Sequence, residues 1–186
     1  IGKKVILYTG AVNEHMCTRE LVEAFDMVND PDSVLLVTGV KDNEYGVAIK
    51  EFVTQSKVRE RVKLFPYITQ KEMLALQANA DIGVYLSKED QHNVKSMMIA
   101  PNKVGEYFQK NLYLLGIASE YLRPFEMKGI ASVAASAAPS DISKAIVGAL
   151  HAVDDKAYKA RIAEYVQGFF SMQHQLKPLL QFLKKV

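Results

Sequence analysis

The chain has 186 residues, of which 49% are hydrophobic and 24% are charged, proportions that are ordinary for one globular domain with a sizeable core. Its formal net charge of +2 argues against a nucleic-acid-binding protein, which usually presents a strongly basic face. The single cysteine, Cys17, excludes an internal disulfide and any zinc site built on paired cysteines.

The remaining bulk features concern metals, membranes and location. The four histidines show no metal-binding spacing, so we expect no metal cofactor. No apolar run reaches the roughly 20 residues that a membrane-spanning helix requires. A lone cysteine fits a reducing compartment, and we expect a cytoplasmic protein. Because the chain begins at Ile1 rather than at methionine, we expect it to be a piece of a longer protein.

Six stretches read as strands, most of them continuously apolar, which is typical of strands buried on both faces of a parallel sheet. The first two end at glycines, Gly10 and Gly39, and the third is more polar. The predicted strands cover residues 3–10, 34–40, 61–65, 80–87, 112–118 and part of 129–135.

Helices alternate with these strands. Thr18 is the expected cap of the first helix and Ser140 that of a later one. Thr69 and Glu72 have the spacing of a capping box, which predicts a helix start there. The helical stretches are expected near residues 18–28, 44–56, 69–76, 101–108, 140–150, 156–170 and 172–183, with Pro178 interrupting the last.

This alternation predicts an α/β fold: a doubly wound, Rossmann-like parallel sheet of about six strands with helices on both faces. In such sheets, ligands bind at the carboxyl ends of the strands, where the strand order reverses. The loops after residues 10, 39, 65 and 87 lie at that edge. The polar segment 88–98 is predicted to be a long loop there.

The helix that starts near Pro101 has the features of an anion site. A helix start offers free N–H groups and the positive end of the dipole, and Lys103 adds a cation beside them. Glu106 follows one turn later. By spacing alone, an ordinary exposed ion pair is the better explanation of Lys103 and Glu106.

In order and spacing, residues 3–118 resemble the C-terminal domain of the GT-B glycosyltransferases, in particular group 1, or family 4. The segments that carry the resemblance are VILYTG, ELVEAF, VLLVTG, RVKLFPYIT, ADIGVYLS and APNKVGEYFQKNLYLL. The resemblance implies that residues 1–186 form one nucleotide-sugar-binding domain, with residues from about 156 to 186 packing back on it. The acceptor-binding N-terminal domain of such enzymes has no counterpart in this chain.

The resemblance also assigns donor-binding roles. Gly10 would lie against the donor phosphates, and Tyr67 and Ile68 would line the base. Lys103 would face the pyrophosphate, and Glu106 would accept hydrogen bonds from the ribose hydroxyls. The catalytic groups of such an enzyme belong to the other domain, so none is assigned here.

Three positions depart from the family pattern, because Ala11, Met16 and Met98 stand where charged residues are usual. Arg19 would then serve the phosphates instead. The sugar would be contacted from the 88–98 loop, for which Glu89, Asp90 and Asn93 are the candidate residues.

The function implied is donor binding in a retaining hexosyltransferase that uses a UDP or GDP sugar and acts on a glycan or a lipid-linked acceptor. The isolated domain is expected to be inactive, and the full enzyme to meet the inner face of a membrane, if at all, through the missing domain. The alternative is a non-catalytic nucleotide-binding or interaction module on the same kind of sheet. A sugar-phosphate epimerase of related architecture ranks lower.

Overall fold

A computed structural model of the chain describes residues 2–88, 102–170, 176 and 181–183. These residues form a six-stranded sheet in which every pairing is parallel. The strands are β1 (Lys4–Tyr8), β2 (Ser33–Thr38), β3 (Val62–Phe65), β4 (Ile82–Tyr85), β5 (Tyr113–Ile117) and β6 (Ala131–Ala134).

The α-helices of the described residues lie between and after these strands. They are α1 (Thr18–Asp26), α2 (Glu44–Gln55), α3 (Gln70–Asn79), α4 (Asn102–Gln109), α5 (Arg123–Met127), α6 (Pro139–Ala152) and α7 (Ala157–Tyr165). A 3-10 turn at Glu14–Met16 precedes α1, and a π-helical segment at Val166–Phe170 continues α7. No helix of the described residues has the length and apolarity needed to cross a membrane.

The strand order is β3-β2-β1-β4-β5-β6, which confirms the doubly wound prediction. The order reverses between β1 and β4, and this is where such sheets open a crevice at their carboxyl edge. Since crossovers between parallel strands are right-handed as a rule, this strand order puts α1 and α2 on one face and α3 and α4 on the other. After β6 the chain returns to the first face, where α6 packs on α1, while α7 packs on α4 and β5.

The core lies on both faces of the sheet. Ile6 and Leu7 of β1 and Leu114 and Leu115 of β5 are fully buried, as continuous apolar strands require. On the α4 face, aromatic rings pack edge to face, with Phe125 between Phe108 at 5.1 Å and Tyr165 at 5.4 Å between ring centroids. The core therefore fixes α4, which carries Lys103 and Glu106, against the sheet.

The predicted helix caps agree with the structure in one case and differ in two. The capping box of α3 is confirmed, with Thr69 and Glu72 bonded reciprocally. Thr18 is not a cap: it lies inside α1, and Cys17 occupies the cap position with φ 49° and with no side-chain hydrogen bond that caps the helix. Ser140 is likewise inside α6, because Pro139 is suited to the first turn and the helix already begins there.

Other expectations lie partly outside the described residues. These include the helix start at Pro101, the segment 172–183 apart from a few residues, and all of the 88–98 loop except Lys88. The predicted 156–170 helix is confirmed as α7 and its π-helical continuation. The short helix α5 was not predicted, because five residues containing Pro124 give no periodic signal.

Candidate functional site

The crevice between β1 and β4 brings together two of the predicted site residues, Gly10 and Lys103. Gly10 follows β1 with φ 113°, a conformation that residues with a side chain rarely adopt. A Cβ atom built there would lie only 2.9 Å from the Lys103 Nζ. The lysine, from α4, therefore lies directly against the backbone at the carboxyl end of β1.

The Lys103 ammonium is held in an environment that disfavours its charge. Its Nζ lies 4.6 Å from the ring centroid of Tyr8, which is fully buried beneath it. Burial lowers the pKa of Lys103 from 10.5 to about 8, and the nearby negative charge of Glu106 only partly opposes this. Among the described residues, none forms an ion pair or a hydrogen bond with its Nζ. The chain thus keeps a mostly buried cation available for an anion.

Glu106 is partly buried on the same helix, three residues after Lys103. The negative charge of Glu106 acts on the pKa of Lys103, but none of the ion pairs of the described residues joins the two side chains. The side chain of Glu106 is thus not committed to Lys103. Its predicted contact with ribose hydroxyls stays a prediction.

The loops after β1, β2 and β3 form one connected edge beside this pair. A Cβ at Gly39 (φ 93°) would lie 1.9 Å from the Gly10 carbonyl oxygen, so the two loops touch backbone to backbone. The Gly39 N–H in turn donates to the Pro66 carbonyl at 3.2 Å. Tyr67 follows with its side chain 58% exposed, and Ile68 is partly buried. The predicted base-lining segment is therefore accessible and joined through backbone contacts to Gly10.

Arg19 occupies a different part of the carboxyl edge. It pairs with Glu23 at 3.0 Å, and its guanidinium carbon lies 5.2 Å from the centroid of the Phe52 ring. It lines an open cleft of about 740 Å³ between α1 and α2, together with Tyr45 and the Lys88–Glu20 ion pair. No hydrogen bond or ion pair among the described residues links Arg19 to Gly10 or Lys103. Its role toward phosphates stays a prediction.

The departures from the family pattern are placed as follows. Ala11 is exposed, and its carbonyl oxygen accepts a 2.6 Å hydrogen bond from the Tyr8 hydroxyl. Met16 packs against the core. The sugar-facing candidates Glu89, Asp90 and Asn93, together with Met98, lie outside the described residues, and their roles stay predictions.

Two aromatic residues of the site were not among the predicted site residues. The ring of Tyr8 lies against the Lys103 ammonium. The Tyr107 hydroxyl lies within hydrogen-bonding distance of Thr9, the residue directly before Gly10. Burial raises the pKa of both tyrosines, so both hydroxyls stay protonated. The sequence did offer a signal for both residues. A tyrosine within an otherwise apolar buried run carries a hydroxyl that needs a hydrogen-bond partner.

A scan against protein-family models finds no match to this chain, and a search of curated proteins finds none either. Many solved structures do share the fold. The C-terminal domain of the group 1 glycosyltransferase LpcC from Francisella tularensis aligns with a TM-score of 0.69 at 14% identity, over 92% of this chain and 88% of that one.

Two larger proteins contain the same fold as a part. Sucrose-phosphate synthase from Thermosynechococcus elongatus aligns with a TM-score of 0.71 at 18% identity, over 98% of this chain and 45% of that one. Anabaena HepE, solved with UDP and glucose, aligns with a TM-score of 0.66 at 13% identity, over 100% of this chain and 49% of that one.

The chain spans less than half the length of the first solved structures it matches, 43% of WaaG and 48% of a glycosyltransferase from Rickettsia africae. At identities this low, the likeness is one of fold. The resemblance predicted from the sequence is confirmed at that level: the chain has the fold of the C-terminal domain of a group 1 glycosyltransferase.

Proposed function

We propose that this chain is the donor-binding domain of a glycosyltransferase that moves a hexosyl group from a nucleoside diphosphate to a glycan or a lipid-linked acceptor. The observation that carries the proposal is the Lys103 ammonium, mostly buried against Gly10 at the reversal of the strand order and without an anionic partner among the described residues. Such an arrangement suits the diphosphate of a donor, whose negative charge increases as the sugar leaves.

The proposed division of labour follows from position. Lys103 and the backbone at Gly10 would hold the diphosphate, and Glu106, one turn along α4, would accept hydrogen bonds from the ribose. The exposed ring of Tyr67 offers a flat surface for a base at the same edge, 5.6 Å from the Lys41 ammonium. The presence of UDP and glucose in HepE, on the same fold, supports a UDP sugar as the donor.

The rest of the proposal concerns the whole protein. Because the chain covers about half of its larger structural relatives, we propose that a second domain binds the acceptor and supplies the catalytic groups. This chain alone would bind the donor without turning it over. We also propose that the protein is cytoplasmic, that the transfer retains the configuration of the sugar, and that it requires no metal ion.

Isothermal titration calorimetry of the full-length protein with UDP, GDP and ADP tests the proposal. We expect either UDP or GDP to bind. We expect Lys103→Met to weaken that binding at least tenfold, because removing the cation removes a charge-assisted contact. Lys110→Met is the matched control, since Lys110 is exposed just after α4. If none of the three nucleotides binds, or if both variants bind alike, the donor site is not where we place it.

A non-catalytic nucleotide-binding module is the second candidate. It is favoured by Ala11 and Met16, which stand at two positions where the transferases usually carry charges. The two functions are distinguished by incubating the full-length protein with the UDP or GDP sugar that it binds. Slow release of free UDP or GDP that accelerates with an acceptor glycan indicates a transferase, whereas binding with no release in any condition indicates a module.

A further inference from the structure

The two strands that form the crevice, β1 and β4, separate after only two paired positions. β1 pairs with β2 over five residues, but with β4 over only Ile6↔Ile82 and Leu7↔Gly83. After these pairs, no described residue of β4 pairs with the backbone of β1. Thr9 lies in this unpaired stretch and is 2% exposed, so its N–H group needs a hydrogen-bond acceptor that the sheet does not supply.

The acceptor is the hydroxyl of Tyr107, which reaches into the gap from α4. The Thr9 N–H donates to it at 3.2 Å, and the Thr9 Oγ1 lies 3.0 Å from it. The Val84 carbonyl of β4 lies 3.3 Å away on the opposite side. One fully buried hydroxyl therefore links the two separating strands.

The space for this ring is provided by Gly83. A Cβ atom at Gly83 would lie 2.5 Å from the Tyr107 ring, so any side chain there would displace it. The ring and its hydroxyl are thus held in one position. Thr9 is joined directly to Gly10, and Gly10 lies against Lys103, which stands one turn before Tyr107 on the same helix.

We propose that Tyr107 is a positioning residue of the donor site, whose hydroxyl holds the Thr9–Gly10 backbone against Lys103 and so sets the geometry in which a diphosphate is bound. This inference rests on the proposed function for its consequence in nucleotide binding. The contact itself joins α4 to the loop after β1, and does not depend on a ligand.

Tyr107→Phe tests the proposal, because it keeps the ring that fills the space at Gly83 and removes only the hydroxyl. With the nucleotide that the wild-type protein binds, UDP or GDP, we expect the dissociation constant to rise about tenfold. In the free protein we expect the pKa of Lys103, followed by NMR of labelled lysine side chains, to rise from about 8 toward 10.5 as the loop relaxes and the ammonium becomes more exposed.

Tyr113→Phe is the matched control. It removes a tyrosine hydroxyl 3.3 Å from the Ser132 Oγ, on β5 and away from the crevice. It should leave both the nucleotide affinity and the Lys103 titration unchanged. Thr9→Val removes the Oγ1 contact with Tyr107 at similar volume and leaves the Thr9 N–H bond in place, so it should shift both readouts in the same direction but by less than Tyr107→Phe. Should Tyr107→Phe fold poorly, this variant provides the test.

The outcomes separate the two proposals. If the pKa of Lys103 is unchanged in both Tyr107→Phe and Thr9→Val, the positioning role is overturned whatever the nucleotide data show. A shifted pKa with unchanged affinity overturns the role in donor binding. If the wild-type protein binds neither UDP nor GDP, the proposed function fails, and the pKa measurement still decides whether Tyr107 positions the loop.

Discussion

At the scale of single residues, Lys103 is a mostly buried cation that lowers the stability of the folded chain. Surface lysines keep their charge in water, whereas this one lies between Gly10 and the ring of Tyr8, with a pKa lowered by burial. Lys103 therefore destabilises the folded chain. Because proteins retain such residues chiefly at functional sites, this indicates a functional role for Lys103.

Lys103→Met should therefore stabilise the ligand-free protein at pH 7, by on the order of 1–2 kcal/mol after allowance for partial exposure. The folded-state pKa lies near 8 and the unfolded one at 10.5, so between these values the unfolded state binds more protons and wild-type stability rises with pH. The advantage of the variant is thus full below pH 8 and is lost as the pH approaches 10.5. Urea denaturation at several pH values measures it, and a destabilised variant would instead indicate a stabilising ion pair with Glu106.

The affinity for a nucleoside diphosphate should also depend on pH. Above about pH 8 the free protein loses the Lys103 proton, while Tyr8 and Tyr107 stay neutral because burial raises the pKa of each. Since the second pKa of a phosphate group is about 6, the ligand is already mostly ionised at pH 7, and affinity should fall roughly tenfold between pH 7 and pH 9. Calorimetry across this range checks the prediction, and Lys103→Met should give a flat profile. A flat wild-type profile would mean that the lysine charge takes no part in binding.

At the scale of elements, the carboxyl edge is built from loops that touch through their backbones. Gly39 leaves room for the Gly10 carbonyl, and its N–H bonds to Pro66, so the segments after β1, β2 and β3 depend on one another. The sequence places both glycines at strand ends, and the family resemblance assigns a contact with the donor phosphates to Gly10 alone. Their mutual contact follows from the parallel order of the three strands.

Gly39→Ala should therefore disturb the site through a neighbouring loop. The added Cβ would meet the Gly10 oxygen at 1.9 Å, at a φ of 93° that alanine rarely adopts. We expect a loss of at least about 2 kcal/mol of stability, and weaker nucleotide binding in the protein that remains folded. Gly2→Ala is the control, since nothing lies within 4 Å of a Cβ there. Denaturation and calorimetry measure both effects, and near-wild-type values for Gly39→Ala would show that the loops move independently.

At the scale of the whole molecule, the fold was largely predictable. Continuous apolar runs such as 4–8 and 113–117 become strands within one or two residues of their predicted bounds, because burial on both faces leaves little room for polar side chains. The caps were predicted less well. Cys17 occupies a cap position with a left-handed backbone, a conformation imposed by the turn before α1, and nothing in its side chain signals it.

The sequence by itself determined the class of fold, the helix that carries Lys103 and Glu106, and the edge of the sheet at which a ligand would bind. These follow from periodicity, capping chemistry and the alternation of strands and helices, all of which are local. Only the tertiary structure decided that Lys103 is desolvated over Tyr8 and that Tyr107 closes the gap between β1 and β4. Both depend on residues about 20 to 100 positions apart that meet where two strands separate, and no local pattern encodes such a meeting.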